Sequence, residues 1–265
     1  MNEKDEAQRK VNLQKIVDES GHKLHTEVVK LLEEYDYKTE ISPYYVDSYT
    51  DKPREIDIVA RKVIPVFEGS NEDNVYLVFA LDCKHLKEDV VFWNFKNEKH
   101  HKALKMIGNE DQLIDKRGED GFIYFRADKI SRLFQSGSSR TSNDPISDPI
   151  YKACVQAING TIFAREHSAG PALIYPIVVV DGPGKLYEAK NLETDISSTL
   201  VHIDYSYYSD RQPNKKPTRE PFYVLIVRKE KLIEAITLLQ NEANIMKLQQ
   251  QEKLNEKLFN DRFNI

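Results

Sequence analysis

Cysteine is scarce: two residues in 265, Cys83 and Cys154, exclude a disulfide framework. Both stand in apolar contexts with no metal-ligand spacing, which points to a reducing compartment. No run of about 18 apolar residues occurs, so no segment is expected to span a membrane. The opening MNEKDEAQRK is too polar for a secretory signal, and the expected location is cytoplasmic. Excess positive charge is missing as well: 38 Lys and Arg against 43 Asp and Glu leave a net charge of -5. That balance excludes nonspecific coating of nucleic acid but permits a local basic groove on an acidic body. Internal repeats and obvious linkers are absent, so one domain with embellishments is the simplest organisation.

What is present suffices for a real core. Hydrophobic residues make up 40% of the chain and charged residues 31%, ordinary values for a globular protein. Residues 1–20 form a charged helical extension with a weak apolar face. Residues 22–35 form an amphipathic helix with Leu24, Val28, Leu31, Leu32 and Tyr35 on its inner face. His25 and Glu27 flank that face on opposite sides, about 70° and 90° from its centre. Tyr37 to Val46 reads as a strand, with Pro43 marking an edge or an irregularity. Asp148-Pro149 opens a helix whose inner face is Ile150, Cys154, Ala157, Ile158 and Thr161. Ala172 to Val180 is a central buried strand. Strands follow at Leu200–Tyr207 and Phe222–Val227. A long helix then carries Leu232, Ile236, Leu239, Ala243 and Met246 at heptad-like spacing.

Two strand-like runs hold the chemistry. One reads Arg54-Glu-Ile-Asp-Ile-Val-Ala60, the other Val75-Tyr-Leu-Val-Phe-Ala-Leu-Asp-Cys-Lys-His85. Their short connection predicts an antiparallel hairpin. Each drives an acid into an apolar pattern, where an unpaired charge is expensive. Asp82 and Lys84 are two apart, so on a strand they share a face. If the runs pair, Asp57 approaches Asp82, and two carboxylates that close repel unless a cation lies between them. Hard oxygen donors of this kind suit Mg²⁺ or Mn²⁺.

These residues resemble the PD-(D/E)xK nuclease superfamily, with its restriction-endonuclease-like fold. The carrying segments are Glu55-Ile-Asp-Ile-Val-Ala60, Leu81-Asp-Cys-Lys-His85 and the preceding helix from Gly21 to Leu32. The resemblance spans roughly Gly21 to Val180. It implies an α/β fold with an αβββαβ core, a mixed central sheet flanked by helices, and here a C-terminal strand and long helix added. The expected organisation is an extension at 1–20, a nuclease-like domain at 21–228 with an insertion around 86–148, and a C-terminal helix at 229–265. The resemblance further implies hydrolysis of phosphodiester bonds, of DNA rather than RNA, by a Mg²⁺- or Mn²⁺-dependent endonuclease. Asp57, Asp82 and Lys84 match the catalytic set. Asp57, Asp82 and the Cys83 backbone carbonyl match metal ligands. Relatives often carry a glutamate where this chain has His25, and the nearest acid is Glu27. Glu55 and Gln156 are further accessory candidates.

Lys99 and Lys102, beside the aromatic run Val90–Phe95, and Lys215 and Lys216, in a basic proline-bearing loop, are candidate nucleic-acid contacts. The C-terminal helix is a candidate surface for a homodimer or a partner subunit. An alternative reading keeps the same fold without catalysis, for nucleic-acid binding or partner assembly. In the blandest reading, Asp82 and Lys84 form an ion pair on an edge strand, and Asp57 pairs with Arg54 or Arg61.

Overall fold

The computed structural model describes residues 3–19, 22–47, 52–69, 74–97, 108, 127–137, 148–168, 170–208 and 217–263. Four helices lie among them: α1 (Glu3–Glu19), α2 (His22–Glu34), α3 (Pro149–His167) and α4 (Leu232–Phe263). Strands β1 (Lys38–Ile41), β4 (Ile58–Pro65), β5 (Asn74–His85) and β8 (Ala172–Asp181) stand in the order β1-β4-β5-β8. With α2 before them and α3 ahead of β8, they give the expected α-β-β-β-α-β succession. β1, β4 and β5 pair antiparallel, and β5 pairs parallel with β8. A short hairpin, β2 (Tyr44–Asp47) with β3 (Lys52–Glu55), stands as a separate sheet.

The sheet continues well past this core. β12 (Thr218–Arg228) lies parallel to β8 on the far side from β5. Beyond it come β11 (Ser198–Tyr207), β7 (Lys129–Ser136), β6 (Val90–Lys96), β9 (Leu186–Glu188) and β10 (Asn191–Asp195), ten strands in all. The insertion around 86–148 therefore contributes β6 and β7 to the main sheet. The strand expected near Gly121–Phe125 lies outside the described residues.

Strand periodicity sorts the core into two layers. Along β8, Leu173, Tyr175, Ile177 and Val179 face one side, where Leu24, Val28 and Leu32 of α2 meet Leu232, Ile236, Leu239, Ala243 and Met246 of α4. Val178 and Val180 face the other side, against Ile150, Ala153, Cys154, Ala157 and Ile158 of α3. Pro176 is tolerated within this strand because the β8–β12 ladder begins only at Ile177.

Tyr35 does not complete the α2 face; it is 42% exposed, and Tyr37, at 3%, is the buried aromatic instead. The helix ends at Glu34, and one residue separates the two tyrosines. Asp36 takes a φ of 62°, and Tyr37 N–H returns to Leu32 O at 3.1 Å. This is a left-handed helix cap in which aspartate occupies the usual glycine position. Val11, Leu13, Ile16 and Val17 of α1 are all exposed.

Gly160 sets how closely α3 approaches the β4–β5 hairpin. A Cβ there would lie 2.9 Å from Ile56 Cδ1 and 3.0 Å from Ala80 Cβ. Gly160→Val should therefore cost about 1–3 kcal/mol through overpacking, read as a lower denaturant midpoint with an unchanged m value.

Candidate functional site

The site begins where two strands part. β4 and β5 stay in register from Pro65↔Asn74 to Ile58↔Leu81. One residue further on, β1 bends at Ser42, whose φ is 53°. Ser42 N–H donates to Asp57 O at 2.9 Å, and Ile56 N–H donates to Pro43 O at 3.1 Å. The antiparallel pair thus continues through the bend into β2–β3 and leaves β5 behind. The run expected as one strand from Arg54 to Ala60 is accordingly two, β3 and β4, and Asp57 stands in the break. Its Oδ2 accepts the Cys83 N–H at 2.7 Å. A side-chain carboxylate so satisfies a strand amide that the departing backbone cannot reach.

α2 closes the site from one side of the sheet. Leu24 and Val28 anchor its inner face, and His25, between them, carries Nε2 to 3.1 Å from Asp57 Oδ2. Both side chains are largely buried. Burial by itself pushes the Asp57 carboxyl up, but the His25 hydrogen bond and the Cys83 N–H outweigh it and hold Asp57 below its ordinary value. The same Asp57 hydrogen bond raises His25 above its ordinary value, against the downward pull of burial.

Asp82 points to the other side of the sheet. Leu81 and Cys83 belong to the α2–α4 layer, so alternation turns Asp82 and Lys84 towards α3. Asp82 is fully buried. Lys84 Nζ forms an ion pair with its Oδ1 at 3.0 Å, and Oδ2 has no hydrogen-bond partner. Desolvation dominates here and pushes the Asp82 carboxyl up to about 7, despite the opposing charge of Lys84. The nearby Asp57 charge pushes the same way.

Cys83 completes the neighbourhood. Its Sγ, His25 and a carboxylate oxygen of Asp57 all lie within 4.8 Å of one another. Asp82 is not part of that trio. Burial, helped by the two nearby aspartates, pushes the Cys83 thiol up. A divalent cation fits the donors of His25, Asp57 and Cys83, which converge within 4.8 Å, while Asp82, on the opposite face, is ion-paired with Lys84.

The sequence candidates divide clearly. Asp57, Asp82, Lys84, Cys83 and His25 gather where β4 leaves β5. Glu27 turns to Lys229, with Oε2 2.5 Å from Nζ. Glu55 is exposed at the end of β3, beyond the bend. Gln156 is half-buried on α3, one turn before Gly160 and so on the helix face that meets Ile56 and Ala80. Lys99, Lys102, Lys215 and Lys216 lie outside the described residues. The β4–β5 ladder stops at Leu81, so Asp82 and Lys84 lie on a stretch of β5 paired with β8 alone, where they form the ion pair expected of an edge; Arg61 pairs with Glu40 at 3.1 Å rather than with Asp57.

One pair escaped the sequence reading. His85 and Asp181 end the parallel strands β5 and β8 in register, with Nδ1 and Oδ1 2.8 Å apart. A polar residue closing each apolar run was the available signal, but their adjacency depends on a strand pairing that spans 96 residues.

No protein-family model, curated protein or solved structure matches this chain.

The buried acid sets a pH dependence. The Asp82 carboxyl rises from 3.8 to about 7 on folding, so the unfolded chain ionises first as pH increases. The resulting penalty is absent below 3.8, grows between 3.8 and about 7, and is constant above that range. In the presence of a chelator, Asp82→Asn should therefore raise Tm at pH 8 by a few degrees. The gain over wild type should fade towards pH 4 in thermal unfolding followed by circular dichroism.

Proposed function

We propose that this protein is a metal-dependent nuclease of the restriction-endonuclease-like type, hydrolysing phosphodiester bonds in DNA. One observation carries the reading: a fully buried Asp82, paired only with the Lys84 ammonium at 3.0 Å, stands beside Asp57 at the point where two strands diverge. A fold tolerates an under-satisfied buried carboxylate poorly, because the desolvation cost is not returned. Function is the ordinary reason for such a group, and ligands in open α/β sheets bind outside the carboxyl ends of strands. The PD-(D/E)xK motif and the α-β-β-β-α-β order supply independent support.

Under this reading Asp57 and Asp82 would hold a divalent ion, which would supply Lewis-acid chemistry to water and to the phosphate. Lys84 presents its ammonium to charge that develops on the phosphoryl oxygens, a role strengthened by its partly buried position. The Cys83 N–H holds Asp57 in place, so the carboxylate keeps its geometry before substrate arrives. His25 orients Asp57 from α2.

The alternative, a nuclease fold kept for binding or assembly without catalysis, draws on the replacement of the expected helix glutamate by His25. Cleavage of plasmid, linear duplex, single-stranded DNA and RNA, each with Mg²⁺, Mn²⁺ or EDTA, separates the two. Metal-dependent cleavage is expected, and Asp57→Ala and Lys84→Ala should each lower its rate by about 10²-fold or more, with the circular dichroism spectrum retained. Full activity in either variant removes the proposed mechanism; binding without cleavage in every metal supports the alternative.

A further inference from the structure

We infer that the β2–β3 ribbon reads duplex sequence, entering the major groove beside the scissile phosphate with Tyr44, Val46 and Glu55 towards the base edges. This rests on the nuclease reading above and adds to it the residues that choose the substrate. The two strands pair as Tyr44↔Glu55, Tyr45↔Arg54 and Val46↔Pro53. Residues directly opposite share a face, so Tyr44, Val46, Pro53 and Glu55 form one side of the ribbon. The other side is anchored: Tyr45 is buried, with its ring centroid 5.9 Å from that of Phe163 on α3. The first side is bare. Tyr44 is 71% exposed and Val46 64%, and Pro53 and Glu55 are exposed with them.

The bare side is also the Asp57 side. Ile56 packs in one cluster with Tyr45, so alternation turns its neighbours Glu55 and Asp57 the other way, where Asp57 meets His25 of α2. At about 3.3 Å per residue, Glu55 and its partner Tyr44 stand about 7 Å from Asp57, and the Pro53–Val46 pair about 13 Å. A duplex that brings a phosphate to Asp57 meets this surface next. Shape and chemistry then choose how it is met. A two-stranded ribbon fits the major groove, where an apolar side chain contacts the thymine methyl and a carboxylate accepts from the cytosine amino group. Tyr44, Val46 and Glu55 supply those two kinds of contact and no cation, which suits base edges rather than phosphates. Lys52, exposed near the free end of β3, is placed for the flanking backbone.

The test digests a pool of randomised duplexes with the full chain and Mg²⁺ or Mn²⁺ and sequences the cut ends. Wild type is expected to show a base preference within a few base pairs of the cut, with cytosine or thymine at the strongest positions. Glu55→Gln should relax the cytosine preference about tenfold. Tyr44→Ala should raise KM for the preferred duplex with kcat retained. Both positions are exposed, so both variants should keep the wild-type circular dichroism spectrum. Single-stranded DNA, which offers no groove, should be cut alike by wild type and variants. Uniform cut ends in wild type, preferences that both variants keep, or an equal loss on single strands overturns the inference while the nuclease reading stands. A wild-type dimer that Tyr44→Ala dissociates in analytical ultracentrifugation does the same, by assigning the bare side to a second copy. Absence of cleavage with either ion overturns both.

Discussion

The bond from Cys83 N–H to Asp57 Oδ2 holds the site together, at 2.7 Å. Sheets normally end by letting both strands run out into solvent. Here β4 leaves β5 while β5 is still paired with β8 up to His85↔Asp181. An unsatisfied amide in the middle of a sheet would be costly. The aspartate satisfies it, and in doing so is fixed beside the next acidic residue of the neighbouring strand. The divergence and the carboxylate are two parts of one solution: the bend frees the Cys83 amide, and Asp57 satisfies it.

Around that point the two faces of β5 carry different chemistry. Asp82 and Lys84 look towards α3, whereas Cys83 lies with α2 and α4. The sheet itself is the wall between a buried acid–ammonium pair and a histidine–aspartate pair. Coulomb interactions cross that wall: Asp57 and His25 both act on Asp82. The two halves are therefore electrically one site although the donor trio of His25, Asp57 and Cys83 does not include Asp82.

Local periodicity made much of this legible. The inner faces of α3 and α4 follow from the spacing of Ile150, Cys154, Ala157 and Ile158, and of Leu232, Ile236, Leu239 and Ala243, all fully buried. The same arithmetic set His25 on the flank of α2, from which it reaches Asp57. It set Glu27 on the opposite flank, where only knowledge of Lys229 explains its fate. Tyr35 rather than Tyr37 was set on the inner face because Asp36 turns the chain without a glycine to flag it. The break at Ile56-Asp57 was invisible because alternation continues unbroken through it; what bends the chain is Ser42, on the neighbouring strand. The outer half of the sheet depends on pairings such as β11 with β7 and β6 with β9, which no local window contains.

The position of α4 has a consequence for synthesis. Leu232, Ile236, Leu239, Ala243 and Met246 share one buried cluster with Leu24, Val28 and Leu32 of α2, and Lys229 is the partner of Glu27. The helix that presents His25 is thus translated well before the residues that support it, Glu27 and its partner Lys229 being 202 positions apart. Until those residues emerge, β5 lacks cover on one face, and Asp57 meets an imidazole whose direction is not yet set. The order of translation so separates the making of the acidic strands from the arming of the site.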